Sequence, residues 1–108
     1  MSTPVRDDGP SVLIVDDEAT TVATLQRMLT REGYRTFAAR SGPEGRRLAL
    51  EHGPDLVLLD VNMPGENGFE TCRLLKEATA TADTPVLFLS ADDDVHSKVR
   101  AFEAGAVY

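Results

Sequence analysis

Three short runs of wholly apolar residues, each closed by an acidic or hydroxyl side chain, constrain this chain more than any other feature. They are Val12-Leu13-Ile14-Val15, Leu56-Val57-Leu58-Leu59 and Val86-Leu87-Phe88-Leu89. Such runs, free of polar interruption, predict strands buried on both faces. Tyr34 to Ala38 mixes in polar residues and reads as an edge strand. Between the runs, apolar residues fall at helical spacing. Val22, Leu25 and Leu29 lie at i, i+3 and i+7, and Gly33 follows where a left-handed cap belongs. Gly45, Leu48 and Ala49 make a shorter stripe, opened by Ser41 as N-cap and stopped near Gly53-Pro54. Phe69, Cys72 and Leu75 mark a third helix; Val95, Val99 and Phe102, ended by Gly105, mark a fourth.

The order is β-α-β-α-β-α-β-α. That alternation predicts an α/β fold, a parallel sheet covered by helices on both faces through right-handed crossovers. No repeat or linker divides the 108 residues, so one domain is expected over residues 11–108, behind a flexible leader at 1–10. Eighteen Asp and Glu against eleven Lys and Arg give a net charge of −7, which argues against a nucleic-acid or anionic-membrane surface. The one cationic cluster, Arg46-Arg47, is too short to offset that field. No apolar run approaches the roughly 18 residues a bilayer span needs, and the first ten residues carry no signal-like stretch. With the lone Cys72, these features point to a cytoplasmic protein.

In open parallel sheets the working site lies beyond the carboxyl ends of the strands. There the first run ends in Asp16-Asp17-Glu18, the third strand in Asp60, and the fourth in Ser90-Ala91-Asp92. Two carboxylates about 4 Å apart repel by about 4 kcal/mol at an effective dielectric near 20, so three at one edge call for a compensating cation. Oxygen donors with no His or Cys beside them favour Mg²⁺ over zinc, and Mg²⁺ held by carboxylates and water generally works on phosphate. Taken singly, each residue has a plainer reading: Asp17 as cap of the first helix, Ser90 as cap of the fourth. Taken as a set on three strand ends, they read as a site.

Three segments carry a resemblance to a known family: Asp16-Asp17-Glu18 after an apolar strand, Leu58-Leu59-Asp60-Val61-Asn62-Met63-Pro64-Gly65-Glu66-Asn67-Gly68-Phe69-Glu70, and Pro85-Val86-Leu87-Phe88-Leu89-Ser90-Ala91. Together, and over about Ser11 to Val107, they resemble the receiver domain of two-component response regulators. The resemblance implies a doubly wound, flavodoxin-like (CheY-like) sheet of order 2-1-3-4-5. It implies phosphorelay signalling in which the phosphohistidine of a sensor histidine kinase, or of a phosphotransfer protein, phosphorylates an aspartate. Carried over by position, Asp60 is the phosphoacceptor. Asp16 and Asp17 hold Mg²⁺ (or Mn²⁺) together with Asp60, and Asn62 offers its backbone carbonyl. Ser90 hydrogen-bonds a phosphoryl oxygen, and small Ala91 leaves the approach open. Asn62 and Asp92 tune hydrolysis of the phosphoaspartate. Gly65, Gly68 and Pro64 shape the loop after Asp60.

The sequence also departs from the family. It stops at Tyr108, before the fifth strand with its switch aromatic and lysine, and before the fifth helix. Val86 to Leu89 then becomes an open apolar edge, for which the expectation is homodimerisation or an element swap, or else that the sequence is a piece of a longer one. Lys98 and Arg100 read as solvated surface charges on the fourth helix. Two other functions compete. One is a phosphorylation-independent pseudo-receiver that serves as an interaction module. The other is a Mg²⁺-dependent phosphatase of the haloacid dehalogenase type, which needs a second acid where this chain has Asn62. The leading reading is not an enzyme in the ordinary sense but a switch that phosphorylates and slowly dephosphorylates itself. Cys72, Met28 and Met63 are assigned to packing or loop, His52 to the end of the second helix, and His96 and Asp92-Asp93-Asp94 to the exposed start of the fourth.

Overall fold

The computed structural model describes residues 9–89. Its elements are β1 (Ser11–Val15), α1 (Ala19–Arg31), β2 (Arg35–Ala39), α2 (Gly42–His52), β3 (Leu56–Asp60), α3 (Gly68–Glu77) and β4 (Val86–Leu89). The strands form one parallel sheet of order β2-β1-β3-β4, the first four places of the expected sheet. The expected fourth helix (Val95, Val99, Phe102, Gly105), His96, Lys98, Arg100 and Tyr108 lie outside the described residues, as do residues 1–8 of the expected leader. The remaining two leader residues are tied to β2: the Pro10 carbonyl accepts from Arg35 N and the Gly9 carbonyl from Arg35 Nε.

Strand alternation sorts the apolar residues into two cores. Val12, Ile14, Leu56, Leu58, Leu87 and Leu89 face α1, where Val22, Leu25 and Leu29 meet them. Leu13, Val15, Val57, Leu59 and Val86 face the other way, onto Ala49 of α2 and Leu75 of α3. Helices on both faces leave the central strands nowhere to expose a side chain, so the runs carry no polar residue. Among the described residues no helix is long and apolar enough to cross a membrane.

The punctuation works as the residue types require. Ser41 accepts from Glu44 N and caps α2, and Gly53 closes it in the left-handed region at φ 55°. Gly33, at φ 92°, turns the chain out of α1. Two sequence expectations need correction. The second strand starts one residue late, because Tyr34 belongs to the α1 end: its N–H donates to the Leu29 carbonyl and its ring is buried in the α1-side core. The third helix buries Gly68, Thr71 and Leu75 rather than Phe69, Cys72 and Leu75, and Phe69 is 61% exposed. Hydrophobicity alone pointed at Phe69. The inward face is instead set by the small residues that let α3 start against the end of β3. Cys72 is half-buried beside the second core, as packing required, and Met63 is buried in that core rather than merely part of the loop.

Candidate functional site

Parallel β1 and β3 lie side by side, Val15 opposite Leu59, so the residues that follow them leave the sheet at the same edge. Asp60 is the last residue of β3, and Asp16 and Asp17 follow β1 directly. Carboxylate oxygens from Asp16, Asp17 and Asp60 all lie within 4.8 Å of one another. Two strand ends thus bring together the three acids that the sequence set apart.

Each acid has its own setting. Asp16 is 6% exposed. Its N–H extends the β1–β2 ladder to the Ala39 carbonyl, 3.0 Å away, and its Oδ1 accepts from Glu18 N at 2.9 Å. Burial raises its carboxyl above the ordinary aspartate range, the Glu18 N–H opposes that, and the charges of Asp60, Asp17 and Glu18 push it further up. Asp17 and Asp60 are half-buried. Asp17 does not cap α1: the N-cap position is Glu18, which makes no side-chain cap bond. Asp60 Oδ1 accepts from Asn62 N at 3.2 Å, which folds the first turn of the β3–α3 loop back over the carboxylate.

The rest of that loop is shaped by two glycines for different reasons. Gly65 adopts φ 76°, a conformation L side chains resist. Gly68 is required for space, since a Cβ there would collide with the Asp60 carbonyl oxygen and stand 2.8 Å from Val61 Cα. Its N–H donates to the Val61 carbonyl at 3.0 Å, closing the loop on itself, and Asn67 caps α3 by accepting from Glu70 N at 2.9 Å.

Four residues whose roles sequence reasoning missed, Arg40, Arg46, Glu66 and Thr71, hold these loops in place. Glu66 accepts from Arg46 Nε at 3.0 Å, from Arg46 Nη2 at 2.8 Å and from the wholly buried Thr71 hydroxyl at 2.7 Å. Those donors hold the Glu66 carboxyl below the ordinary glutamate range. Arg40 donates from Nε and Nη2 to the Asp17 carbonyl. Thr71 had a signal, since it lies three residues after Gly68 and four before Leu75. Glu66 and Arg40 had none, because their partners are set by tertiary register. Ser90, Ala91 and Asp92 lie outside the described residues.

Chemically, the cluster is a patch of hard oxygen donors around one buried, like-charge-crowded carboxyl. That donor set fits a divalent cation of the Mg²⁺ class and does not fit a soft metal.

Comparison with known proteins agrees with this geometry. The family model described as "Response regulator receiver domain" matches residues 12–108. The transcriptional regulatory protein AfsQ1 of Streptomyces coelicolor is 39% identical over 97 residues, covering 90% of this chain and 42% of that protein. The transcriptional regulatory protein ResD of Bacillus subtilis is 42% identical over 94 residues, covering 87% of this chain and 38% of that protein. The chain therefore spans less than half the length of either relative. The crystal structure of the N-terminal domain of a response regulator receiver protein from Methanoculleus marisnigri superposes with a TM-score of 0.74 at 40% identity, over 88% of this chain and 76% of that one.

Proposed function

The chain belongs to the response regulator receiver family, and from that membership we propose that it accepts a phosphoryl group on Asp60 in a Mg²⁺-dependent step. The observation that carries the reading is the convergence of Asp16, Asp17 and Asp60 oxygens within 4.8 Å at one sheet edge. Asp16, Asp17 and Asp60, with the Asn62 backbone carbonyl, would hold the cation. When bound, the ion neutralises the crowded carboxylates and the equatorial oxygens of the incoming phosphoryl group.

The protein's own part is positioning. Asp60 attacks phosphorus in line through a carboxylate oxygen. The new O–P bond forms as the P–N bond of the donor phosphohistidine breaks, and its electron pair leaves with the imidazole. Asp60, ending a central strand, is held rigidly at its backbone. The Asn62 N–H on Oδ1 fixes which oxygen is engaged and which is free. Glu66 and Gly68 keep the loop closed around that geometry. Ser90 is assigned the phosphoryl contact that transmits the switch, and the added charge beside Asp16 and Asp17 is the event it reads. The donor is a sensor histidine kinase or phosphotransfer protein, and the place of action is the cytoplasm, where such donors present phosphohistidine. Turnover is limited to self-phosphorylation and slow loss of the acyl phosphate.

The test is incubation with acetyl phosphate or phosphoramidate, with and without Mg²⁺, read by intact mass. One phosphoryl adduct per chain, dependent on Mg²⁺ and lost in Asp60→Asn, is expected. No adduct under any condition would turn the reading into that of a pseudo-receiver, and many turnovers per chain into that of a phosphatase.

A further inference from the structure

We propose that Arg40 is a positioning residue for the cation site, holding the Asp17 carbonyl and thereby the turn that presents Asp16 and Asp17. The inference rests on the reading that the three acids bind a divalent cation.

Arg40 follows β2 directly and precedes the α2 cap, and its backbone is anchored on both sides. The preceding carbonyl, that of Ala39, accepts from Asp16 N at 3.0 Å, and Arg40 N donates to Glu44 Oε1 at 2.8 Å. From this fixed point the side chain crosses to the β1–α1 turn, where Nε at 3.0 Å and Nη2 at 2.7 Å converge on one oxygen, the Asp17 carbonyl. The inner side of the same turn is held by Asp16, whose Oδ1 accepts from Glu18 N. The turn is therefore gripped from within by Asp16 and from without by Arg40. No side-chain cap at Glu18 shares the task. Rotation of the Asp17 peptide would swing its neighbouring carboxylate out of the cluster, and the two-point contact from a planar guanidinium resists that rotation.

Charge and position pull in opposite directions here, and that makes the role measurable. As a cation on the turn that carries Asp16 and Asp17, Arg40 repels Mg²⁺, so removing it should tighten binding if charge were its whole effect. As a brace it preorganises the ligands, so removing it should weaken binding.

The experiment is a Mg²⁺ titration of the 108-residue protein followed by calorimetry, with the Tm in chelator measured beside it. Arg40→Gln is expected to weaken Mg²⁺ binding about tenfold, the lower end of what loss of an outer partner of a metal ligand costs. Arg40→Lys keeps the charge but not the planar fork, and is expected to weaken binding about threefold. An unchanged or tighter Kd in Arg40→Gln overturns the proposal. So does a lowered Tm with an unchanged Kd, which assigns Arg40 to stability alone. Should the glutamine variant fail to fold, a wild-type Kd in Arg40→Lys overturns it by itself. A wild-type protein that binds neither Mg²⁺ nor Mn²⁺ overturns the reading of the acid cluster and this proposal with it, whereas a binding wild type with indifferent variants overturns the proposal only.

Discussion

Arg46 and Glu66 join α2 to the β3–α3 loop through a two-point contact, Nε to Oε2 at 3.0 Å and Nη2 to Oε1 at 2.8 Å. Glu66 is 13% exposed and Arg46 34%, so water screens the pair only in part. Oε2 also takes the Thr71 hydroxyl, and Gly42 of α2 has no Cβ because one would run into Thr71 and Glu66. The loop that follows Asp60 is thus tethered to two helices at once.

Glu66→Gln is expected to lower stability by about 1 kcal/mol at pH 7, the scale of a hydrogen bond to a charged group discounted for exposure. The folded-state carboxyl lies below its ordinary value, so its contribution is present above about 4.5 and is lost as pH falls through the lower folded value. Urea unfolding at pH 7 and pH 3 checks this. The difference between wild type and variant should shrink at the lower pH.

Asp16 has the opposite sign. Its carboxyl is raised in the fold, so ionisation opposes folding from about pH 3.8 upward and fully so above the folded value. In chelator, Asp16→Asn should raise the Tm by a few degrees at pH 7 and change it little at pH 3. The same variant should lose the Mg²⁺-induced stabilisation expected of the wild type, about 2.7 kcal/mol at 100 times Kd for a single site. Thermal melts with and without Mg²⁺ give both answers.

Gly68 opens α3, a place where Ala would ordinarily stabilise a helix by up to about 1 kcal/mol. Here the added Cβ meets the Asp60 carbonyl and Val61, so Gly68→Ala should instead destabilise by about 1–3 kcal/mol, the cost of overpacking. Equilibrium denaturation distinguishes the two signs.

The face of α3 can be checked in the same way. Leu75, 2% exposed, should cost about 2–5 kcal/mol when cut to Ala, whereas exposed Phe69, tilted against Phe88 at 5.2 Å between ring centroids, should cost well under half of that. Equal losses would put Phe69 in the core, where its hydrophobicity alone suggested it belonged.

These cases mark what could be read from the letters and what could not. Val12 to Val15 and Leu56 to Leu59 announce central strands, and Val86 to Leu89 a strand beside them, because the side chains of each run are buried alternately in two cores. Ser41 and Gly53 announce the ends of α2 because caps are local chemistry. Asp16, Asp17 and Asp60 were legible as a set, since parallel strands deliver their carboxyl ends to one edge. The face of α3 was not legible, because Gly68 and Thr71 point inward for reasons of space and hydrogen bonding that a hydrophobic scan ignores. Arg40 and Glu66 were not legible either: their partners lie 23 and 20 residues away, and they meet only because β2 pairs with β1 and α2 packs beside the β3–α3 loop.

The most direct measurement is anomalous scattering from crystals of this protein soaked in Mn²⁺. One strong peak is expected at the carboxyl edge, with Asp16, Asp17 and Asp60 oxygens around it, directly or through a single water, and with the Asn62 carbonyl turned toward it. A peak elsewhere on the surface, or none at saturating Mn²⁺, would contradict that expectation.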